Sequence, residues 1–285
     1  AGSAGSALLG ATVITASLGV GLSWTTRPGA LDNATVFTAV GGTWVAASVI
    51  GTLPYLLAGT FAVADRPWAV VVADALFESI SGYTATGATV FGGHNRIVDQ
   101  GAGILLYRQL TQWAGGMGIV VLVVTVLPSL RASGLGLIDA EAPGMGVDRL
   151  APRVRDTAIR FWRLYRGLTV LIALGLLLAG MGPFDAVAHA LTTASTGGFS
   201  TQDASIGYWD SVAVESVVIV ALILAATNFT LHSRSWNQKR ITHFGDHELR
   251  GFLSVLAICT LAVSTLLALD GMAFGRALRI GLFNV

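Results

Sequence analysis

Two short runs of Thr, Ser and Gly have the residue types needed to hold a cation that has shed its water. They occupy residues 84–89 (run one) and 194–201 (run two), each between a short apolar stretch and a long one. Backbone that leaves the helical conformation inside a membrane is tolerated only where it lines a cavity or is buried in protein. Rings of such carbonyl oxygens replace the hydration shell of the ion in potassium-type filters. The pair of runs therefore points to cation permeation rather than to an enzyme.

The composition is that of a membrane protein. Of the 285 residues, 53% are hydrophobic and only 12% are charged, and the mean hydropathy is +0.70. Soluble domains contain about 25% charged residues. The single cysteine excludes a disulfide within the chain and a metal cluster built on cysteine.

Apolar stretches of two lengths must position the runs. A spanning helix needs about 20 mostly apolar residues. Six stretches reach that length: about 6–24, 36–61, 101–127, 160–182, 208–231 and 249–273. Two shorter stretches, 68–83 and 183–194, come immediately before the runs. We interpret both as re-entrant half-helices, because stretches this short do not cross a bilayer.

The order helix, half-helix, Gly-rich return, helix occurs twice and begins a third time, and internal repeats of broken helices are typical of transporters. The third half-helix is predicted to start with Leu282 and Phe283, so we expect the chain to be part of a longer polypeptide. The predicted divisions are an extra N-terminal membrane helix with a cytoplasmic loop (1–35), pore repeat one (36–127), a cytoplasmic linker (128–151), pore repeat two (152–232), a second cytoplasmic linker (233–246) and the start of pore repeat three (247–285).

The Lys and Arg residues predict the orientation. Most of the 17 lie in segments that precede or connect the repeats, whereas residues 167–232 contain none. Because cytoplasmic loops carry the excess of positive charge, we assign the connecting segments to the cytoplasm. Both runs are then expected to enter the membrane from the outer side.

A half-helix that enters from outside points its C-terminus into the membrane. The helix dipole places about half a negative charge there, which favours a desolvated cation. The chain must then turn back sharply, and Gly87, Gly197 and Gly198 permit the backbone angles that this requires. An isolated glycine-capped loop is the ordinary alternative, but two copies at the same place in two repeats argue against it. We expect carbonyl oxygens to face the axis from Ala85, Thr86, Ser195 and Thr196.

Several residues near the runs have predicted supporting roles. Arg108 is expected to brace the outer end of its helix through carbonyls or an acidic partner. Trp113 is expected at an interface or wedged behind the filter. The small residues Ala114, Gly115, Gly116 and Gly118 permit another helix or the filter backbone to approach closely.

Polar residues within the half-helices and spans are expected to have mainly structural roles, with functional alternatives for Glu78 and Asn228. We favour helix capping for Asp74, whereas Glu78 either caps its half-helix or raises the cation concentration at the entrance. Asp185 follows Pro183 and marks a helix start. We expect His189 to be a satisfied packing residue. Asn228 is expected to bond a neighbouring helix, with a role in gating as the alternative.

A different function remains open in one cluster. His243, Asp246, His247 and Glu248 have residue types that bind zinc, although acidic residues also suit the helix start predicted there. The alternative function is therefore a membrane-embedded metal-binding protein or enzyme that uses residues 243–248. No nucleophile–base motif, phosphate-binding loop or nucleic-acid signature occurs in the sequence, so we expect neither an enzyme nor a nucleic-acid partner.

Six segments resemble the Trk/Ktr/HKT superfamily of potassium transporters, most closely its bacterial TrkH/KtrB type. They are residues 81–89, 112–118, 152–165, 195–201 and the pairs 228–229 and 231–232. The resemblance implies an all-α integral membrane protein of the cell membrane, with four helix–pore-helix–helix repeats forming a pseudo-tetrameric pore. It further implies potassium as the substrate, no bound cofactor, contact with lipid, a homodimer and a cytosolic nucleotide-binding regulatory subunit.

The resemblance also assigns the filter. Gly87 and Gly197 match the filter glycines of repeats one and two, and glycine at the first position is typical of potassium-selective members, whereas sodium-selective plant members often carry serine. Filters three and four and the gating loop of the third repeat have no counterpart in these residues. A two-repeat protein that completes its filter by dimerising is an alternative, against which the beginning of a third repeat argues. The implied potassium ligands are the backbone carbonyls of Ala85, Thr86, Gly87, Ser195, Thr196 and Gly197.

Overall fold

The chain is helical in the residues that the computed structural model describes: 2–26, 33–62, 66–93, 95–134, 150–238 and 245–285. The α-helices are α1 (Gly2–Thr25), α2 (Asn33–Ile50), α3 (Leu53–Leu57), α4 (Trp68–Tyr83), α5 (Ala102–Gly134), α6 (Leu150–Leu178), α7 (Pro183–Ala194), α8 (Val212–Ala226), α9 (Phe229–Gln238), α10 (His247–Leu269) and α11 (Phe274–Asn284). Short 3-10 turns occupy Ile97–Asp99 and Ser205–Trp209. The predicted all-α class is therefore confirmed.

Four helical segments of the described residues are long and apolar enough to cross a membrane. They are Ala4–Thr25, Thr38–Leu57, Ala158–Leu178 and His247–Leu269. A fifth span results if α8 and α9, which are bent by 91° at a short break, are counted together. Large apolar side chains such as Leu9 on α1 and Leu266 on α10 are mostly exposed, which suits helices that face lipid.

The two predicted half-helices have the expected bounds. Helix α4 covers the 16 residues Trp68–Tyr83 and α7 covers the 12 residues Pro183–Ala194. At a rise of 1.5 Å per residue they are about 24 and 18 Å long, shorter than the bilayer core of about 30 Å. A proline favours the start of each, since Pro67 precedes α4 and Pro183 opens α7.

Helix α5 lies between the two half-helices. It packs against both α4 and α7, while α7 also packs against α6. One cluster of buried apolar side chains lies among α6, α7 and α8 and includes Met117 of α5. The other lies between α3 and α4 and includes Ile104 and Leu105 of α5. The runs that follow α4 and α7 are therefore held beside a common helix.

The predicted span over 208–231 is wrong beyond residue 226. Helix α8 ends at Ala226 because Thr227 adopts an extended backbone conformation. Asn228 then accepts hydrogen bonds from the amide and hydroxyl of Thr230, which starts α9 in a new direction. The Nδ2 atom of Asn228 lies 3.4 Å from Oε2 of Glu248, so the predicted bond to a neighbouring helix is present.

Two further boundaries differ from the sequence prediction. The span over 36–61 contains a break between α2 and α3, since Pro54 lies in the first turn of α3, and its apolar segment ends at Leu57 rather than at residue 61. The third short helix, α11, begins at Phe274 rather than at Leu282. Leu282 and Phe283 are its ninth and tenth residues, as Leu76 and Phe77 are in α4. The Leu-Phe pair therefore marked the right element but not its start.

Candidate functional site

The two runs follow the same backbone path after their half-helices. Ala85 and Thr196 both have φ near 53°, in the left-handed region that residues with a Cβ rarely adopt. Two residues later Gly87 has φ 78° and Gly198 has φ 86°. The same alternation of conformations at both sites places successive carbonyl groups in equivalent directions.

Backbone hydrogen bonds define which residues are equivalent. The amide of Thr86 donates to Ser81 O at 3.0 Å, and the amide of Gly197 donates to Thr192 O at 2.9 Å. Thr86 therefore corresponds to Gly197, and Gly87 corresponds to Gly198. The match of Gly87 with Gly197 is wrong by one residue, because run two contains two consecutive glycines and only the fold shows which of them adopts positive φ.

The two runs touch each other. A Cβ added at Gly87 would overlap the carbonyl oxygen of Gly197, whereas one added at Gly198 would meet open space. Positive φ and close approach together require glycine at position 87. Equivalent residues thus have unequal surroundings.

A buried ion pair holds run one. Arg108 and Glu78 have no exposed side-chain surface, and Nη2 of Arg108 lies 2.7 Å from Oε1 of Glu78. The hydroxyl of Thr89 donates to the Glu78 carboxylate at 3.0 Å, and the amide of Val90 donates to it at 3.1 Å. Because a buried charge needs both a partner and hydrogen bonds, the chain after Gly87 is fixed to α4.

Arg108 also reaches run two. Its Nη1 atom donates to the carbonyl of Ser200 at 3.0 Å, and its guanidinium lies 4.2 Å from the ring centre of Phe199. The predicted bracing role of Arg108 is therefore confirmed. Glu78 lies in the buried interior of α4, so neither reading of it, as a cap or as an entrance charge, is correct.

A histidine and an aspartate hold the corresponding part of run two. His189 is buried, and its Nε2 lies 2.9 Å from the hydroxyl of Ser200 while its Nδ1 lies 2.8 Å from Asp185 O. Asp185 lies in the first turn of α7 and accepts a hydrogen bond from Thr201 at 2.6 Å. The predictions of a satisfied histidine and of a helix start at Asp185 are confirmed.

Gln112 of α5 makes two hydrogen bonds with the backbone of run two. Its Nε2 donates to Gly197 O at 2.9 Å, and its Oε1 accepts from the amide of Phe199 at 3.0 Å. The hydroxyl of Thr192 also donates to Oε1. Sequence reasoning grouped Gln112 with its neighbours without assigning it a role, since no local pattern shows which helix a lone glutamine will face.

The chain matches the family described as TrkH, cation transport protein, over residues 4–272. The chain belongs to this family. It is 43% identical over 246 residues to the Trk system potassium uptake protein TrkH of Halomonas elongata, covering 85% of this chain and 49% of that protein. It is 37% identical over 268 residues to TrkH of Escherichia coli K12, covering 91% and 53%.

A solved structure gives the same result. The crystal structure of the potassium transporter TrkH from Vibrio parahaemolyticus aligns with a TM-score of 0.82 at 33% identity, covering 98% of this chain and 56% of that one. The chain spans about half the length of the curated relatives it matches. The predicted resemblance, the multi-pass membrane architecture and the expectation of a non-enzymatic protein are confirmed by this family membership.

Other residues of the segment 112–118 have packing roles. A Cβ at Gly115 would overlap Tyr83 O at the end of α4, and one at Gly116 would lie 2.7 Å from Cβ of Ser195. Trp113 stacks on Tyr165 of α6 at 5.5 Å, and its indole donates to Thr169. The small residues thus permit close approach, of the end of α4 at Gly115 and of run two at Gly116.

Asp74 does not cap α4. The residue before that helix is Pro67, and no side chain caps it. The carboxylate of Asp74 instead lies 2.7 Å from Nη1 of Arg66. Asp74 lies two turns into the helix, too far from its first amides to accept their hydrogen bonds.

The loops that follow the two runs meet beside run one. Nη2 of Arg96 lies 2.9 Å from Asp203, which also accepts a hydrogen bond from the amide of Ile97 at 2.8 Å. An open cavity of about 310 Å³ lies here. Its lining includes Thr89, Phe91, Arg96 and Asp203.

The alternative metal cluster has no structural counterpart among the described residues. His243 lies outside them, and Asp246 caps α10 by accepting a hydrogen bond from the amide of Leu249 at 3.0 Å. Glu248 lies in the first turn of the same helix. No group of three His, Cys, Asp or Glu residues in the described ranges is arranged to hold a metal ion.

Proposed function

We propose that the chain supplies two filter segments of a pore that takes up potassium ions across the cell membrane, without a bound cofactor. The observation that carries this proposal is the shared backbone path of runs one and two. Each leaves the C-terminus of a half-helix, repeats the same two left-handed positions and meets the other at Gly87 and Gly197. The names of the relatives as potassium uptake proteins support it.

The geometry suits a desolvated cation for two reasons. Carbonyl oxygens that are not used within a helix can replace the water shell of the ion. The C-termini of α4 and α7 add partial negative charge near the same place. The proposed ligands are the backbone carbonyls of Ala85, Thr86 and Gly87 in run one and of their equivalents Thr196, Gly197 and Gly198 in run two.

The assembly is part of the proposal. Two filter segments do not encircle an ion, so we assign the chain to a four-repeat pore, of which residues 247–285 begin the third repeat. The relatives are named as members of a Trk system, which supports function together with other subunits. We infer a homodimer and a cytosolic nucleotide-binding regulatory subunit.

Reversal potentials test the function directly. The full-length protein is reconstituted in liposomes under opposed potassium and sodium gradients, and wild type is compared with Gly87→Ser. We expect a potassium-selective potential in wild type that moves towards the sodium potential in the variant, because a side chain at position 87 meets Gly197 O.

Gly271→Ser is the matched control. Gly271 also has positive φ, at 94°, but it lies in the turn after α10 and a Cβ there meets open space. We expect this variant to keep the selectivity of wild type. Absence of cation flux in wild type, or a potential that responds equally to both substitutions, would contradict the proposed filter.

A further inference from the structure

Helix α5 of the first repeat makes hydrogen bonds to three backbone groups of run two. Nη1 of Arg108 donates to Ser200 O at 3.0 Å. One turn further along the same face, Gln112 bonds the amide of Phe199 at 3.0 Å and the carbonyl of Gly197 at 2.9 Å. The side chains of one repeat therefore determine the backbone of the other.

The primary amide of Gln112 satisfies both of the backbone groups that face it. The amide of Phe199 is a donor and requires an acceptor, whereas the carbonyl of Gly197 requires a donor. The hydroxyl of Thr192 donates to the same oxygen of Gln112. The side chain is fully buried, so water does not substitute for these bonds.

The clamped carbonyl lies at the contact between the two runs. Gly197 O is the atom that a Cβ at Gly87 would overlap. Without Gln112, the glycine pair Gly197-Gly198 has wide conformational freedom, and the Gly197 peptide is free to rotate. The orientation and number of the carbonyl dipoles around an ion govern selectivity between potassium and sodium.

We propose that Gln112 is a positioning residue that sets the shape of run two and thereby the discrimination between potassium and sodium. The proposal rests on the proposed function, since it assumes that run two lines the ion path. Gln112 acts through Gly197 and Phe199, and it does not itself contact the ion.

The test compares two glutamines of the same helix in the full-length protein. Gln109 is also fully buried on α5, but its amide atoms have no hydrogen-bond partner within the described residues. The permeability ratio of potassium to sodium is measured in liposomes for wild type, Gln112→Met and Gln109→Met. We expect about a tenfold fall for Gln112→Met, as for the loss of buried hydrogen bonds, and a ratio within about twofold of wild type for Gln109→Met.

The outcomes separate this proposal from the function on which it rests. A wild type without selectivity overturns the proposed function. A selective wild type with an unchanged ratio in Gln112→Met, or an equal fall in Gln109→Met, overturns the role of Gln112 alone. The permeability ratio does not depend on the amount of protein inserted, so a purely structural loss of protein leaves it unchanged.

A second variant tests the positioning role of Gln112 if Gln112→Met does not fold. Thr192→Val removes the hydroxyl that donates to Gln112 and nearly conserves the volume of the side chain. We expect the permeability ratio to fall by roughly twofold to threefold, because one of the bonds that orient the amide is lost. A ratio equal to that of wild type overturns the proposal.

Discussion

Thr89 in run one and Ser200 in run two are equivalent, since each hydroxyl bonds a buried side chain eleven residues earlier in the half-helix. In run one that side chain is Glu78, which is paired with Arg108. In run two it is the imidazole of His189, whose other nitrogen lies against Asp185 O. One backbone path is thus held by a buried ion pair in the first repeat and by a histidine in the second.

The difference follows from the position of α5. This helix packs against both half-helices, and Arg108 lies where it meets Glu78 and Ser200 O together. The guanidinium of Arg108 therefore binds both runs, and its buried positive charge requires one compensating carboxylate. Repeat one supplies that carboxylate, so the equivalent position in repeat two carries histidine without leaving a buried charge unpaired.

The largest loss of stability is expected on removal of Arg108, the positively charged member of the buried ion pair. Arg108→Met leaves Glu78 buried without its partner, so we expect the free energy of unfolding to fall by about 3–5 kcal/mol. The measurement is the thermal unfolding midpoint of the full-length protein in detergent. The double variant Glu78→Gln with Arg108→Met should recover part of the loss, since no lone charge remains. A midpoint equal to that of wild type in Arg108→Met would show that ionic bonding does not hold run one.

The equivalent glycines should respond unequally. Both Gly87→Ala and Gly198→Ala place a Cβ at positive φ, which costs about 1–2 kcal/mol. At Gly87 the new atom also overlaps Gly197 O, which adds about 1–3 kcal/mol of overpacking. Thermal unfolding of the two variants, side by side, measures the difference. Equal losses would mean that the runs do not touch as described.

The smallest difference in stability is expected between variants that lack the hydroxyls of Thr89 and Ser200. Thr89→Val removes a donor to a carboxylate, and hydrogen bonds to charged groups contribute about 1.5–3 kcal/mol, whereas Ser200→Ala removes a bond to neutral groups of about 1 kcal/mol. Unfolding midpoints of the two single variants test the order. A greater loss for Ser200→Ala would contradict this order of the two hydrogen bonds.

Much of the architecture could be predicted from local patterns. The bounds of α4 and α7 follow from apolar stretches that start beside a proline and end at a Thr-Gly or Ser-Thr-Gly sequence, because helix starts and stops are local properties. The break after Ala226 was missed. Residues 208–231 form one apolar stretch, and a lone asparagine in it is as consistent with a hydrogen bond between helices as with the cap that Asn228 forms at α9.

The sequence by itself determined that this is a membrane protein with two repeated Thr-Gly runs after half-helices, since hydropathy and glycine placement act over short distances. Tertiary structure alone decided that Gly198 is the counterpart of Gly87, that Glu78 pairs with Arg108, and that Gln112 of one repeat holds the backbone of the other. These contacts join residues far apart in the chain, and their partners are chosen by the packing of α5 between α4 and α7.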